Sequence, residues 1–129
     1  MESLPIFIKV KNARCLVIGG GEVAARKVAT LLKAEADVEV IAPELCHELA
    51  DLRNDARIKH QKTTFNESHL AGATLVFAAT DEEAINVQIS NAAKALNIPV
   101  NVVDAPALCT FAMPSIVDRS PVVIAVSSN

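Results

Sequence analysis

Three glycines in a row, Gly19-Gly20-Gly21, follow directly on the apolar run Cys15-Leu16-Val17-Ile18. In the form Gly19-x-Gly21-x-x-Ala24 this segment predicts a strand that enters a tight turn and leaves it as a helix. Gly19 permits the turn. Gly21 lets backbone approach a ligand phosphate without a Cβ in the way, and Ala24 is small enough for the helix to pack close to the strand. The amides that open the helix at Glu22 and Val23 then point at an anion. Two readings fit these residues, a dinucleotide phosphate site and a glycine turn with a structural role alone. The strand–turn–helix setting favours the first.

The rest of the chain is consistent with a fold built around that turn. Its 129 residues suffice for one domain with a real core. Residues of the apolar set make up 51%, yet aromatics are only 3% and Trp and Tyr are absent, so Val, Ile, Leu and Ala must build the core. That composition suits a parallel sheet covered on both faces. A net charge of −3 without a basic run argues against a nucleic-acid surface, as does the scarcity of rings for base stacking. Cys15, Cys46 and Cys109 are odd in number and widely spaced, which predicts reduced, half-buried thiols rather than a disulfide or a zinc site. With no secretory leader and no apolar run near 18 residues, the expectation is a soluble, cytoplasmic protein without a membrane segment.

Periodicity predicts alternating strands and helices. Leu4–Val10 reads as an extended lead-in and Cys15–Ile18 as the first buried strand. Residues 22–34 read as a helix, Val38–Ala42 as a strand, and Leu45, Leu49 and Leu52 as one face of a short helix. A weaker strand is expected at Arg57–Gln61 and a helical turn at Phe65–Leu70, closed by Gly72. Thr74–Ala79 is the next buried strand, and Thr80 or Asp81 is a natural N-cap for a helix bearing Ile85, Ile89, Ala92 and Leu96. Pro99–Val103 is a further strand. Phe111–Val117 and Val122–Ser127 are two terminal β segments. The fold class expected is α/β: a Rossmann-like open parallel sheet with helices on both faces and extra β segments at the C-terminal end. Because Ser127-Ser128-Asn129 follow straight on an apolar strand, the sequence reads as a fragment cut at a domain edge.

Ligands of open α/β sheets bind beyond the carboxyl ends of the strands. The groups expected there are Gly19 to Val23, Pro43-Glu44, Thr80-Asp81 and Asp104. Glu44 could reach an adenosine ribose, or serve as the N-terminal acid of the next helix. No Arg or Lys stands at the end of the second strand to receive a 2′-phosphate, which favours NAD over NADP. Asp104, after an apolar-rich strand, could be a partly desolvated proton carrier or a turn-forming Asp before Pro106. His47, His60 and His69 form no recognisable ligand set and read as surface residues, so no metal site is expected. Arg119, in the turn between the last β segments, could bind an acidic substrate or be a solvated charge.

Several stretches together carry a resemblance. They are Pro5-Ile6-Phe7, Leu16 to Ala24 with Arg26-Lys27, Ala78-Ala79-Thr80-Asp81, Asn101-Val102-Val103-Asp104-Ala105-Pro106, and Phe111 through Ser128. In these the chain resembles the N-terminal NAD-binding domain of siroheme synthase, above all the trifunctional form with a C-terminal methyltransferase module. The resemblance implies NAD-dependent oxidation of precorrin-2 to sirohydrochlorin, then insertion of Fe2+ to give siroheme. It assigns the family's key carboxylate to Asp104 and NAD contacts to Glu22-Val23 and Pro43-Glu44, mostly through backbone. It places Ser127 and Ser128 near the tetrapyrrole cleft. It also implies a homodimer whose dimerisation and methyltransferase regions are absent from residues 1–129, with Asn129 where a glycine is expected. The fragment is therefore expected to bind NAD without being a competent dehydrogenase. An NAD-binding regulatory module without catalysis is the competing expectation.

Overall fold

The computed structural model of the chain describes residues 1–128; Asn129 lies outside the described residues. Five strands, β1 (Arg14–Ile18), β2 (Asp37–Ile41), β3 (Ile58–Gln61), β4 (Leu75–Ala78) and β5 (Val100–Val102), form one parallel sheet in the order β3-β2-β1-β4-β5. Three helices connect them: α1 (Glu22–Lys33), α2 (His47–Leu52) and α3 (Glu83–Ala95). Chain order reverses beside β1, where successive connections leave toward β2 on one side and β4 on the other. This is the topology at which open α/β sheets form a ligand crevice.

The two-residue period of the strands explains how one sheet carries two cores. Cys15, Val17, Val38, Val40 and Phe77 face one side and pack against Ala24, Ala25, Val28 and Leu31 of α1 and Leu49 of α2. Leu16, Ile18, Ile41, Val76, Ala78, Val100 and Val102 face the other side, against Ile89 and Ala93 of α3. Small residues on α1 bring it close to β1, and Glu22 and Lys33 sit at the helix ends that suit their charges. Burial pushes the Cys15 thiol up to about 11, which leaves it protonated and inert.

The terminal β segments form a separate antiparallel hairpin, β6 (Ser115–Arg119) and β7 (Val122–Val126), all of whose residues are exposed. The expected strand at Phe111–Val117 shortens because residues 109–111 are tied to β5 by other means. The Thr110 amide donates to the Val100 carbonyl at 2.8 Å, and Asn101 Nδ2 donates to the Phe111 carbonyl at 3.0 Å. The Phe111 ring meets Phe77 edge-on, with centroids 5.5 Å apart. Between them lies an unforeseen 3-10 turn at Pro106–Leu108, held by Ser90 Oγ donating to the Leu108 carbonyl at 2.6 Å.

Two further expectations are corrected. The N-cap of α3 is Glu82, not Thr80 or Asp81, because the Thr80 amide and hydroxyl both engage Asn86 Oδ1. His69 is buried rather than on the surface. Its Nδ1 accepts the Asn66 amide at 3.0 Å in a capping box around the 3-10 turn Glu67–Leu70.

A half-buried charge pair sits on the face shared with that turn. Arg14 Nε donates to Glu39 at 2.9 Å, while its other nitrogens donate to the carbonyls of His69 (2.6 Å) and Ala71 (2.9 Å). Gln61 Nε2 donates to the second Glu39 oxygen. Burial raises the Glu39 carboxyl, but Arg14, Gln61 and the nearby His69 outweigh it and hold the group below its ordinary value of 4.5. A carboxyl depressed in the folded state adds stability above its unfolded value and loses it as pH falls through the folded value. The urea midpoint is therefore expected to drop as pH is lowered through 4.5 and below. Glu39→Gln should flatten that part of the profile; an unchanged slope in the variant counts against the assignment.

Candidate functional site

The turn after β1 is built by steric demands at two of its glycines. Gly19 has φ +134°, and a Cβ on it would run into the carbonyl of Ala79 after β4. Gly20, which the motif leaves unspecified, is constrained by space alone. A Cβ there would strike the Glu44 carbonyl, and its own carbonyl accepts the Cys46 amide at 2.7 Å. Gly19 and Gly20 thus draw the loops after β4 and β2 against the turn. Gly21 differs: nothing lies within 4 Å of where its Cβ would be.

That open space fronts the N-terminus of α1. Gly21 is the N-cap and supplies no side-chain cap, so the first-turn amides at Glu22 and Val23 have no partner of that kind. Uncapped amides plus a missing Cβ make a cradle for a phosphate anion, so the pyrophosphate of a dinucleotide fits the residues present. Glu22 is exposed and Val23 half-buried. Their contribution is backbone.

A cleft of ≈ 510 Å³ opens over the turn at the carboxyl edge of the sheet. Of the expected site residues it brings together Gly19, Gly21, Pro43, Glu44, Thr80 and Asp81. Glu44 precedes Cys46, the N-cap of α2, so it belongs to the cleft wall and not to the helix's first turn. Thr80 is a brace: its amide and hydroxyl reach Asn86 Oδ1 (3.3 and 2.6 Å), and Asn86 Nδ2 returns to its carbonyl at 3.0 Å. His60 Nε2 lies 2.9 Å from the Ala42 carbonyl and steadies the loop that carries Pro43 and Glu44, so it too is more than a surface residue.

The sequence reading missed the loop after β3, whose Thr63, Thr64 and Phe65 form one wall of the cleft. No motif marks these residues. Only their place after a strand ending at Gln61 could have suggested them.

Asp104 stands just past β5 with φ +59° and is exposed, so the expected partial desolvation of its carboxyl is not found in this chain. It lies outside the lining of the 510 Å³ cleft. Around it the backbone is firmly held: the Ala105 amide donates to the Val102 carbonyl at 3.2 Å, and Cys109 Sγ lies 3.1 Å from the Val102 amide.

A second cleft, of ≈ 680 Å³, is formed by the exposed N-terminal residues 1–8 with Thr110, Phe111, Ala112, Pro114, Ala125 and Ser127. Of the residues expected near a substrate, Ser127 lines it. Arg119 is exposed at the end of β6, with Nη1 on the Asp118 carbonyl at 3.0 Å, and Ser128 is exposed beyond β7. Among the described residues no group of three or more His, Cys, Asp or Glu side chains could hold a metal ion. No described helix is long and apolar enough to cross a membrane.

Comparison with known proteins agrees with this geometry. A family described as putative NAD(P)-binding matches residues 6–115. Proteins named siroheme synthase align with the whole chain, at 58% identity for that of Nitrosospira multiformis and 56% for that of Methylobacillus flagellatus. The chain spans 28% of the length of each. Among solved structures, one titled SirC, precorrin-2 dehydrogenase superposes with a TM-score of 0.79 at 21% identity, covering 98% of this chain and 62% of the other. At that identity the likeness speaks for the fold.

Proposed function

This chain belongs to the putative NAD(P)-binding family, and from that premise we propose that it is the dinucleotide-binding part of an enzyme of siroheme biosynthesis, which oxidises precorrin-2 to sirohydrochlorin. The observation that carries the reading is the open space at Gly21 before the uncapped α1, set between the loops after β2 and β4. When bound, the dinucleotide supplies a hydride acceptor at its nicotinamide ring. The chain's own residues bind and orient it: amides of Glu22 and Val23 hold the pyrophosphate, Pro43 and Glu44 the adenosine side, and Thr80 and Asp81 the far wall.

The oxidation removes a hydride and a proton from the macrocycle. Asp104, carried past β5 next to β4, is the group that would take the proton. Residues of the 680 Å³ cleft, with Ser127, Ser128 and Arg119 at its hairpin, are the proposed tetrapyrrole-facing set. Insertion of Fe2+, as substrate, into sirohydrochlorin belongs to the same proposal for the longer protein, with Asp104 assisting loss of the pyrrole protons. A cytoplasmic homodimer is part of it.

Conversion of precorrin-2 with concurrent NADH formation, by a protein of siroheme-synthase length that contains this chain, tests the reading. A non-catalytic NAD sensor is the second reading, favoured by the exposure of Asp104. It forecasts NAD binding but no visible-absorbance change on titration of the longer protein with sirohydrochlorin.

Cofactor choice follows from the loop after β2. Ala42-Pro43-Glu44 offers no cation, and the Glu44 carboxylate on the cleft wall opposes a 2′-phosphate. NAD is expected to bind at least about tenfold more tightly than NADP in calorimetric titration. Equal or tighter binding of NADP refutes the preference.

A further inference from the structure

We propose that Ser90 of α3 is a positioning residue for Asp104, acting through the carbonyl of Leu108 on the loop that carries the carboxylate. The inference rests on the dehydrogenase reading above and extends it to a residue that reading does not use. Asp104 is exposed. Among the described residues the side-chain hydrogen bonds of its loop belong to Ser90, Cys109 and Thr110, and no ion pair includes its carboxylate. Where that group points is therefore set by the backbone of residues 103–109. Both ends of this loop rest on β5: the Ala105 amide donates to the Val102 carbonyl at 3.2 Å, and the Thr110 amide to that of Val100 at 2.8 Å. Between them runs the 3-10 turn Pro106–Leu108. Among the described residues one side-chain hydrogen bond reaches this turn from another helix, that of Ser90 Oγ to the Leu108 carbonyl at 2.6 Å.

Packing alone does not call for a serine there. Ser90 is 0% exposed and shares the buried face of α3 with Ile89 and Ala93. Alanine would fill that place, as it does at Ala93, with no hydroxyl to desolvate. A helical serine or threonine can bond back to the carbonyl four residues earlier, as Thr30 of α1 does with Arg26 at 3.1 Å. Ser90 instead crosses to the loop. Ala105, Leu108 and Cys109 pack on the core beneath, which fixes how deep the loop sits, but apolar contact has no direction. The hydrogen bond has one. Cys109 Sγ, 3.1 Å from the Val102 amide and 3.4 Å from the Ala105 carbonyl, stiffens the loop between its two anchors.

The same helix braces the wall of the dinucleotide cleft. Asn86, four residues before Ser90 and so on the same side of α3, accepts the Thr80 amide and hydroxyl and donates to the Thr80 carbonyl. α3 thus ties down the loop after β4 through Asn86 and the loop after β5 through Ser90, about one helical turn apart. Oxidation of precorrin-2 takes a hydride and a proton from one macrocycle, so the two acceptors work best at a fixed spacing. A single helix gripping both loops supplies that spacing.

The test is a double-mutant cycle in a protein of siroheme-synthase length that contains this chain, read as kcat for precorrin-2 oxidation. Ser90→Ala is expected to lower kcat about tenfold, the scale of a slightly misplaced reacting group, with NAD affinity kept within about twofold. Introduced beside Asp104→Asn, the same substitution is expected to change kcat by less than about twofold, because no carboxylate is left to aim. A merely structural role lowers kcat by the same factor in both backgrounds, and that result overturns the inference. So does wild-type kcat in Ser90→Ala. Should Ser90→Ala lose its cooperative unfolding transition, Ser90→Cys runs the same cycle. It has nearly the same shape with a weaker donor, and its expected loss in kcat is about threefold. Wild-type turnover in Asp104→Asn alone overturns the proton-acceptor assignment, and this inference with it. An unaltered protein without turnover overturns the dehydrogenase reading itself.

Discussion

Gly19→Ala is expected to cost about 3 kcal/mol or more of stability, whereas Gly21→Ala, two residues on, is expected to change stability by less than about 1 kcal/mol. At Gly19 two penalties combine. A φ of +134° strains any residue with a Cβ, and that Cβ meets the Ala79 backbone, which cannot rotate away as a side chain could. At Gly21 the backbone is extended, with φ −92° and ψ −170°, and the space in front is open. Alanine is accommodated there, but in the volume proposed for a phosphate. Thermal unfolding should therefore fall by roughly 10 °C for Gly19→Ala and by little for Gly21→Ala. NAD affinity of Gly21→Ala should drop by more than about tenfold while its fold is kept. A Gly21→Ala chain that binds NAD like the wild type removes the glycine turn from the site.

The second large effect concerns chemistry rather than folding. In a protein of siroheme-synthase length that contains this chain, Asp104→Asn is expected to lower the turnover of precorrin-2 by about 10²- to 10⁴-fold, the range for loss of a positioned proton acceptor. NAD affinity should stay within about twofold, because Asp104 lies outside the lining of the dinucleotide cleft. Asparagine suits the φ of +59° at this position nearly as well as aspartate, so the backbone past β5 is preserved. Asp104→Ala, which strains the same φ, is the harsher companion. Turnover of Asp104→Asn at the wild-type rate would take the carboxylate out of the mechanism and return Asp104 to the role of a turn residue.

Much of the architecture was legible because it rests on local rules. Four-residue apolar runs such as Leu75–Ala78 announce strands buried on both faces, and the spacing of Ala24, Val28 and Leu31 announces a helix packed on one side. The glycine turn was legible for the same reason. What local rules do not carry is which distant backbone comes to rest against a given residue. Gly20 is required by the Glu44 carbonyl, His69 is buried by a capping box and an arginine 55 residues away, and Phe65 reaches the cleft because β3 ends beside β2. The exposure of Asp104 was misjudged because the apolar strand before it stops two residues earlier, at Val102.

The hairpin carries a practical consequence. Val122-Val123-Ile124-Ala125-Val126 is an uncharged, mostly β-branched run, and among the described residues its strand pairs with β6 alone, leaving its other edge without a strand partner there. The ribbon's strand charges, Asp118 and Arg119, both lie on β6. Such an edge is a template on which further strands can add, the first step of sheet-mediated aggregation. Colloidal behaviour of the chain on its own should thus be governed by a few residues remote from the glycine turn. A lysine in place of Val123 or an added proline on that edge is the kind of gatekeeper that would keep it in solution.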